Sequence, residues 1–187
     1  FVNMNSKGLV VLPTHRVVHG LETLSPDVLR SKAGRYFSVE EVDPNADKAR
    51  YSTILQRAGQ TGTALLAILK DRAFLLDRPK ANGTSNFEGY SLRQQSLDVV
   101  QLHKCILEQT LGISPEAVRD QTNVRYLRDA GEAIGQVRAG EANAAFLMNP
   151  VRMEQVRDIA FAGEVLPQKS TDFYPKLLSG LTIYALE

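Results

Sequence analysis

The spacing of apolar and polar positions predicts several helices with recognisable start signals. Ser25 before Pro26 and Asp27 combines a hydroxyl N-cap, a proline in the first turn and an acid near the positive end of the helix dipole. The pairs at 43–44 and 149–150 repeat the signal. The sequence therefore predicts helices that start at these three points, and others over residues 97–111 and 131–139.

Short apolar runs between turn residues predict strands. Residues 63–69 and 73–76, joined by the polar residues 70–72, predict a β-hairpin. Residues 9–12 predict a buried strand that Pro13 ends, because proline cannot donate to a strand ladder. Further strands are predicted over residues 17–18, 36–42, 123–127, 142–148 and 181–186. This alternation predicts an α/β or α+β fold with a mixed sheet flanked by helices.

One polar, turn-rich stretch interrupts this pattern at residues 79–89, with Asn82 and Gly83 at its tip. It is the best candidate for a linker or sub-boundary in a chain that otherwise reads as one unit over 1–187. The chain opens on Phe1 and Val2, which resembles a strand cut from a longer element.

Composition narrows the classes of partner. The 22 basic and 21 acidic residues leave a net charge of +1, so we do not expect nucleic acid as a partner, since non-specific binding requires concentrated positive charge. No apolar run is long enough to span a membrane, so we expect no membrane partner. The single cysteine, Cys105, is predicted to be a small buried hydrophobe. Because one cysteine cannot form an internal disulfide, the cysteine count fits a cytoplasmic protein.

The tail carries the strongest candidate binding motif. Lys169, Ser170 and Thr171 offer an ammonium and two hydroxyls that suit a phosphate or carboxylate, and Tyr174 and Lys176 are further candidate contacts. The alternative is a solvated loop in which Ser170 and Thr171 satisfy nearby backbone groups.

A second candidate lies at the predicted strand end around His15 and Arg16. Open α/β sheets tend to bind ligands at strand ends, where Arg16 could grip an oxyanion in bidentate fashion and His15 could titrate near neutral pH. The alternative is an ordinary surface strand end with Arg16 in an ion pair, and this alternative is favoured.

Three other kinds of site are not supported. Residues 163–170 nearly match the P-loop pattern, but they follow a predicted helix and lead into a strand, which reverses the P-loop order. His15 and His19 have a spacing seen in metal sites, yet an extended segment does not bring the two rings together, so no metal is expected. No catalytic group can be identified from spacing alone.

The tail at residues 166–181 resembles the closing motif of the DUF1015 family, bacterial and archaeal proteins of unknown function. Residues 9–18 and 140–152 are similar to that family as well. The resemblance implies that this chain is the C-terminal portion of a longer protein. It also implies a missing N-terminal domain of the ParB/sulfiredoxin type with a Gly-His-His-Arg motif that is not present here.

From these observations we expect a domain that completes a phosphate-containing ligand site for that N-terminal domain of the same protein. The ligand is a nucleotide or a phosphorylated metabolite, and a nucleotide is the candidate cofactor. We expect no turnover from this chain alone. The alternative is a structural or homo-oligomerisation module of a ParB-like regulator.

Overall fold

The fold is built on a six-stranded sheet. The computed structural model describes Asn3 and residues 8–80 and 87–176. The strands are β1 (Val10–Leu12), β2 (His15–Val18), β3 (Ser38–Val42), β4 (Ala64–Ile68), β5 (Ala73–Asp77), β6 (Val124–Leu127), β7 (Ala144–Met148) and β8 (Asp172–Tyr174). The sheet has the order β3-β5-β4-β7-β2-β6, and β1 and β8 form a separate two-stranded sheet.

Helices lie on both faces of the large sheet. They are α1 (Pro26–Ala33), α2 (Lys48–Gly59), α3 (Leu92–Gln95), α4 (Asp98–Gln101), the π-helical segment (Leu102–Glu108), α5 (Pro115–Arg119), α6 (Ala130–Arg138) and α7 (Met153–Phe161). The α/β class with a sheet flanked by helices is confirmed. The described pairings within the six-stranded sheet are all antiparallel, so the sheet is not mixed as predicted.

Alternation along the central strands divides the apolar core into two layers. Leu65 and Ala67 of β4 face a cluster that includes Phe37, Phe74 and Phe146. Their neighbours Ala64, Leu66 and Ile68 face the opposite cluster, which α2 and α6 cover. Because successive side chains of a strand point to opposite faces, neighbouring residues of any central strand contribute to different layers. This rule decides where the candidate site residues lie.

The predicted hairpin is confirmed, since β4 and β5 pair from Ala64 opposite Asp77 to Ile68 opposite Ala73. The predicted start of α1 is also confirmed: Ser25 caps the helix by accepting a hydrogen bond from the Val28 amide. Cys105 is buried, as predicted.

Two predicted helix starts are wrong because the candidate caps have other partners. The carboxylate of Asp43 accepts from the nearby Asn45 amide, and α2 begins later, after Asp47. The amide of Asn149 donates to the Leu55 carbonyl at 3.0 Å, and α7 begins only at Met153.

Two other predictions need correction. The strand near residues 9–12 is not fully buried, since β1 pairs with β8 in a small separate sheet and Val10 is 45% exposed. The predicted helix over 97–111 divides into α4 and the π-helical segment. The predicted strand at 181–186, the loop tip at 82–83 and the first two residues lie outside the described residues.

Candidate functional site

The candidate site lies at one edge of the large sheet, where several chain segments meet. Here β2 begins, β6 and β7 end, and β4 begins: His15 pairs with Leu127, and Leu65 pairs with Met148. The residues just beyond these strand ends therefore share one edge, and two adjoining cavities open there.

The first of them, which we call the His15 cavity, has a volume of about 260 Å³. Among its polar lining residues are His15, Lys48, Ser52, Gln56, Arg128 and Asn149. They come from β2, α2 and the segments that follow β6 and β7, so only the folded chain assembles them.

His15 is fixed in a single neutral form. The residue is only 4% exposed, and Nδ1 accepts a hydrogen bond of 3.3 Å from the amide of Met148. Burial, followed by the charge of Arg16, lowers the pKa of His15 to about 4. At neutral pH the ring is therefore uncharged and carries its proton on Nε2, which makes it a hydrogen-bond donor rather than a cation.

Two cations line the same cavity, each with an acidic partner. Lys48 pairs with Asp129, and both side chains are about half exposed. Arg128 donates to Asp172 at 2.9 Å, with its own side chain 60% exposed. The exposed Lys48–Asp129 pair is worth about 0.2–1 kcal/mol, so a ligand anion can replace Asp129 at small cost. The Asp172 side chain is only 14% exposed, so Arg128 would bind an anion with its remaining donors while it keeps Asp172 as a partner.

Asp129 also stabilises the helix that starts at the cavity rim. Its carboxylate accepts from the Glu132 amide at 2.9 Å and caps α6. The hydrogen bond from Lys48 and those from the helix amides hold the pKa of Asp129 below its ordinary value. Asp129 therefore keeps helix partners when Lys48 turns to another anion.

Arg16 lies on the opposite face of β2 from His15. Arg16 is only 1% exposed, and burial lowers its pKa to about 10. It donates to the carbonyls of Thr14 at 2.5 Å and Lys169 at 3.2 Å, and to Nε2 of His103 at 3.3 Å. In the described part of the chain no carboxylate pairs with it. Arg16 is thus neither in an ion pair nor open to an oxyanion, but clamps the tail against β2.

The tail segment does reach the strand end that the sequence singles out. Leu12 pairs with Asp172, which places residues 168–172 beside residues 12–16. Lys169 contributes its carbonyl to Arg16, while its side chain is exposed and its backbone has a φ of +57°. The two predicted segments therefore come together, although their charged side chains do not converge.

The remaining tail residues either bond to nearby backbone or face solvent. The Ser170 hydroxyl donates to the Pro167 carbonyl at 2.5 Å, as in the alternative in which it satisfies local backbone. Thr171 is half-buried, while Tyr174 is 60% exposed and Lys176 is exposed.

The second cavity at this edge, the Asp98 cavity, is larger, at about 550 Å³. It shares Gln56, Asn149 and Pro150 with the His15 cavity. Asp98, at the start of α4, is largely enclosed, and its carboxylate accepts hydrogen bonds from the Thr63 side chain and the Ala64 amide. Burial raises the pKa of Asp98 to about 7, against these two hydrogen bonds.

A third cavity of about 300 Å³ lies beside the π-helical segment, away from the other two. Tyr90, His103 and Tyr126 line it, and Arg16 stacks on the Tyr126 ring at 5.0 Å. Burial and the charge of Arg16 lower the pKa of His103 to about 3, so this ring is neutral as well.

Sequence reasoning missed Lys48, Arg128 and Asp98. Each lies in a helix or just beyond a strand end, where a lone charged residue carries no distinguishing pattern. Proximity to a predicted strand end could have singled out Arg128. Lys48 and Asp98 are recognisable only from the packing of α2 and α4 against that edge.

Among the residues that the structure describes, no cluster of three or more histidine, cysteine or acidic side chains is arranged to hold a metal ion. Within the same residues, no helix is long and apolar enough to cross a membrane.

Solved structures share this fold at low sequence identity. A conserved hypothetical protein from Pyrococcus furiosus has a TM-score of 0.52 and 14% identity over 92% of this chain. A free serine kinase in complex with AMP has a TM-score of 0.50 and 12% sequence identity over 92% of this chain. A variant of that kinase in complex with AMP has a TM-score of 0.50 and 14% sequence identity, also over 92% of this chain. This chain covers only 56–59% of the length of these structures.

No protein of curated function matches the chain. A family model does match, over residues 1–100, which is more than half of the chain. The matched span contains His15, Lys48 and Asp98, whereas the tail motif lies outside it. The chain therefore belongs to DUF1015, a family of proteins of unknown function.

Proposed function

We propose that the edge of the sheet binds a phosphate-containing small molecule, with a nucleotide as the leading candidate, and that the phosphate lies in the His15 cavity. The observation that carries the proposal is the convergence of Lys48, Arg128 and the neutral donor His15 on one cavity. Ammonium, guanidinium and imidazole N–H groups are the donors that phosphate oxygens accept best.

The electrostatics around the cavity support an anion. The carboxylates Asp129 and Asp172 balance Lys48 and Arg128, while the buried Arg16 on the other face of β2 has no carboxylate partner among the described residues. Its charge leaves a positive potential at this sheet edge, and such potentials are weakly screened inside a protein.

Fold similarity supports the choice of nucleotide. The free serine kinase with the same fold is described in complex with AMP. At 12% identity this similarity concerns the fold alone, so we transfer only the ligand class, as part of the proposal. We propose further that an N-terminal domain of ParB/sulfiredoxin type completes the site, in a cytoplasmic protein.

Calorimetric titration with AMP, and separately with inorganic phosphate, tests the proposal. We expect Lys48→Gln and Arg128→Gln each to weaken AMP binding by about 10- to 100-fold, the effect of losing one charged hydrogen bond. Arg157→Gln is the matched control, because Arg157 is a similarly exposed arginine that pairs with Asp158 on α7. Absence of AMP binding, or equal affinity in all three variants, would overturn the proposal.

A specific observation also favours the alternative of an oligomerisation module. Leu92, Phe161 and Val165 are 82%, 84% and 77% exposed. They lie on neighbouring segments, since Gln94 beside Leu92 donates to the Val165 carbonyl at 3.0 Å. Exposed apolar residues on adjoining segments are typical of protein–protein contacts.

Sedimentation velocity distinguishes this alternative. If the chain self-associates through this patch, Phe161→Ser should shift the distribution towards monomer. Val28→Ser, at a 49% exposed position on α1, should leave it unchanged. A wild-type protein that stays monomeric at high concentration would exclude the patch as a contact between copies.

A further inference from the structure

The Asp98 cavity has a largely apolar surface with a few polar and charged groups. Among the described residues that line it, Asp98 is the acidic side chain and Arg152 is the basic one. The other polar groups of the lining are uncharged amides and hydroxyls, supplied by Gln56, Gln60, Thr63, Ser96, Asn149 and Gln155.

The two charges come from different segments and face the same space. Asp98 lies at the start of α4, and Arg152 directly precedes α7. Arg152 is near enough for its charge to stabilise the Asp98 carboxylate, but no ion pair joins the two residues in the described structure. Each charge therefore remains available to a ligand group of opposite sign.

We propose that the Asp98 cavity binds a small zwitterion of the α-amino acid type, with the ligand ammonium on Asp98 and the ligand carboxylate on Arg152. One carboxylate and one guanidinium match the two ends of such a molecule, and guanidinium is the preferred partner of a carboxylate. The surrounding amides and hydroxyls suit a polar side chain. This site goes beyond the phosphate site and depends on different residues.

The position of the cavity gives the second ligand a defined neighbour. Gln56 and Asn149 line both cavities, so a zwitterion in one would lie next to a phosphate in the other. This edge of the sheet would then hold two adjacent small molecules.

Protonation of Asp98 gives the binding a pH signature. Burial raises the pKa of Asp98 to about 7, so the carboxylate gains its charge across the neutral range. Arg152 is the charged side chain that faces it, while the lining groups from α2, from Thr63 before β4 and from Ser96 are neutral. Binding of an ammonium should therefore strengthen by about tenfold between about pH 6 and pH 8.

Calorimetry with L-serine as the probe tests the site in the full chain. Two matched analogues each lack one charge: 3-hydroxypropionate has no amine, and ethanolamine has no carboxylate. We expect both to bind at least about tenfold more weakly than L-serine. L-alanine serves to show whether the side-chain hydroxyl contributes.

Variants connect the binding to the two residues. We expect Asp98→Asn and Arg152→Gln each to weaken L-serine binding by at least about tenfold, and Asp98→Asn to remove its pH dependence. Glu154→Gln, which removes an exposed charge two residues beyond Arg152, should change neither. If circular dichroism shows that Asp98→Asn does not fold, the Arg152→Gln variant and the two analogues still test the site.

Three results would overturn the inference: no binding of either amino acid at millimolar concentration, equal binding of the analogues, or full binding by Arg152→Gln. AMP titration of the same samples keeps this outcome separate from that of the phosphate site. Loss of AMP binding in Lys48→Gln with L-serine binding retained supports two sites.

Discussion

Replacing Arg16 by methionine tests whether this buried cation is a structural clamp. The change leaves the carbonyls of Thr14 and Lys169 and the His103 ring without their donor. An unpaired buried acceptor costs about 2 kcal/mol, or about 6 kcal/mol for the three. Burial lowers the pKa of Arg16 from its ordinary value to about 10. Removing that buried charge returns about 3 kcal/mol, so the net loss of unfolding free energy should be about 3 kcal/mol.

Urea unfolding followed by circular dichroism measures this loss. Arg125→Met on the adjacent strand β6 is the control, since Arg125 is only partly buried and bonds to Gln136 and the Glu141 carbonyl. It should lose less than about 1 kcal/mol. We also expect the folded fraction of Arg16→Met to bind AMP more weakly than wild type, but by less than about tenfold, because it loses the long-range effect of the Arg16 charge and no direct contact.

The opposite pattern would refute the clamp. Suppose that the unfolding free energy of Arg16→Met lies within about 0.5 kcal/mol of wild type and that its AMP affinity falls by about tenfold or more. Arg16 would then contact the ligand directly. The guanidinium would then have to leave its present partners on binding.

Three further predictions concern other positions. Burial raises the pKa of Asp98 from 3.8 to about 7, so protonation of Asp98 stabilises the wild-type fold fully below about pH 4, and this stabilisation is lost as the pH rises through about 7. In thermal or urea melts, the unfolding free energy of Asp98→Asn should therefore rise by about 2–4 kcal/mol relative to that of wild type between about pH 4 and pH 8. A difference that stays constant with pH would contradict this. Lys169→Gly keeps the carbonyl that Arg16 binds and relieves the strain of a left-handed backbone, so urea melts should show a gain in unfolding free energy of up to about 1 kcal/mol. A large loss of AMP affinity in the same variant would instead show that the Lys169 ammonium binds phosphate. Gly59→Ala places Cβ in overlap with Nδ2 of Asn149 and should cost about 1–3 kcal/mol of unfolding free energy in a chemical melt. Gly135→Ala, with open space around its Cβ, should gain about 0.5–1 kcal/mol, and equal effects of the two changes would contradict the close approach at Gly59.

Local sequence signals correctly predicted the elements that depend on residues close to them in the sequence. The β4–β5 hairpin and the Ser25 cap depend on neighbours a few residues away, so pattern and propensity suffice. The signal at Asn149 and Pro150 failed because the Asn149 side chain bonds to Leu55, which is 94 residues distant. A cap sequence cannot show that its side chain is already used elsewhere.

The candidate site was predictable as a place but not as a set of side chains. The strand end at residues 13–16 and the tail segment do meet, as β1 pairs with β8. The sequence could not show that His15 and Arg16 serve opposite sides of β2. Nor could it show that Lys48 and Arg128 reach the same cavity, because their approach depends on how α2 and β6 pack.

The position of β2 in the sheet has a consequence for synthesis on the ribosome. This strand lies between β6 and β7, and Arg16 pairs with Phe146, 130 residues later in the chain. At about 5–20 residues per second, that separation leaves β2 without its partners for about 10 s. The β3-β5-β4 unit can form earlier, but the edge of β4 that later receives β7 stays open until Met148, the partner of Leu65, is made 83 residues later, which takes about 4–17 s at that rate. We therefore expect slow completion of the sheet, with nascent chains that associate through this apolar edge or recruit chaperones until residues 144–148 emerge.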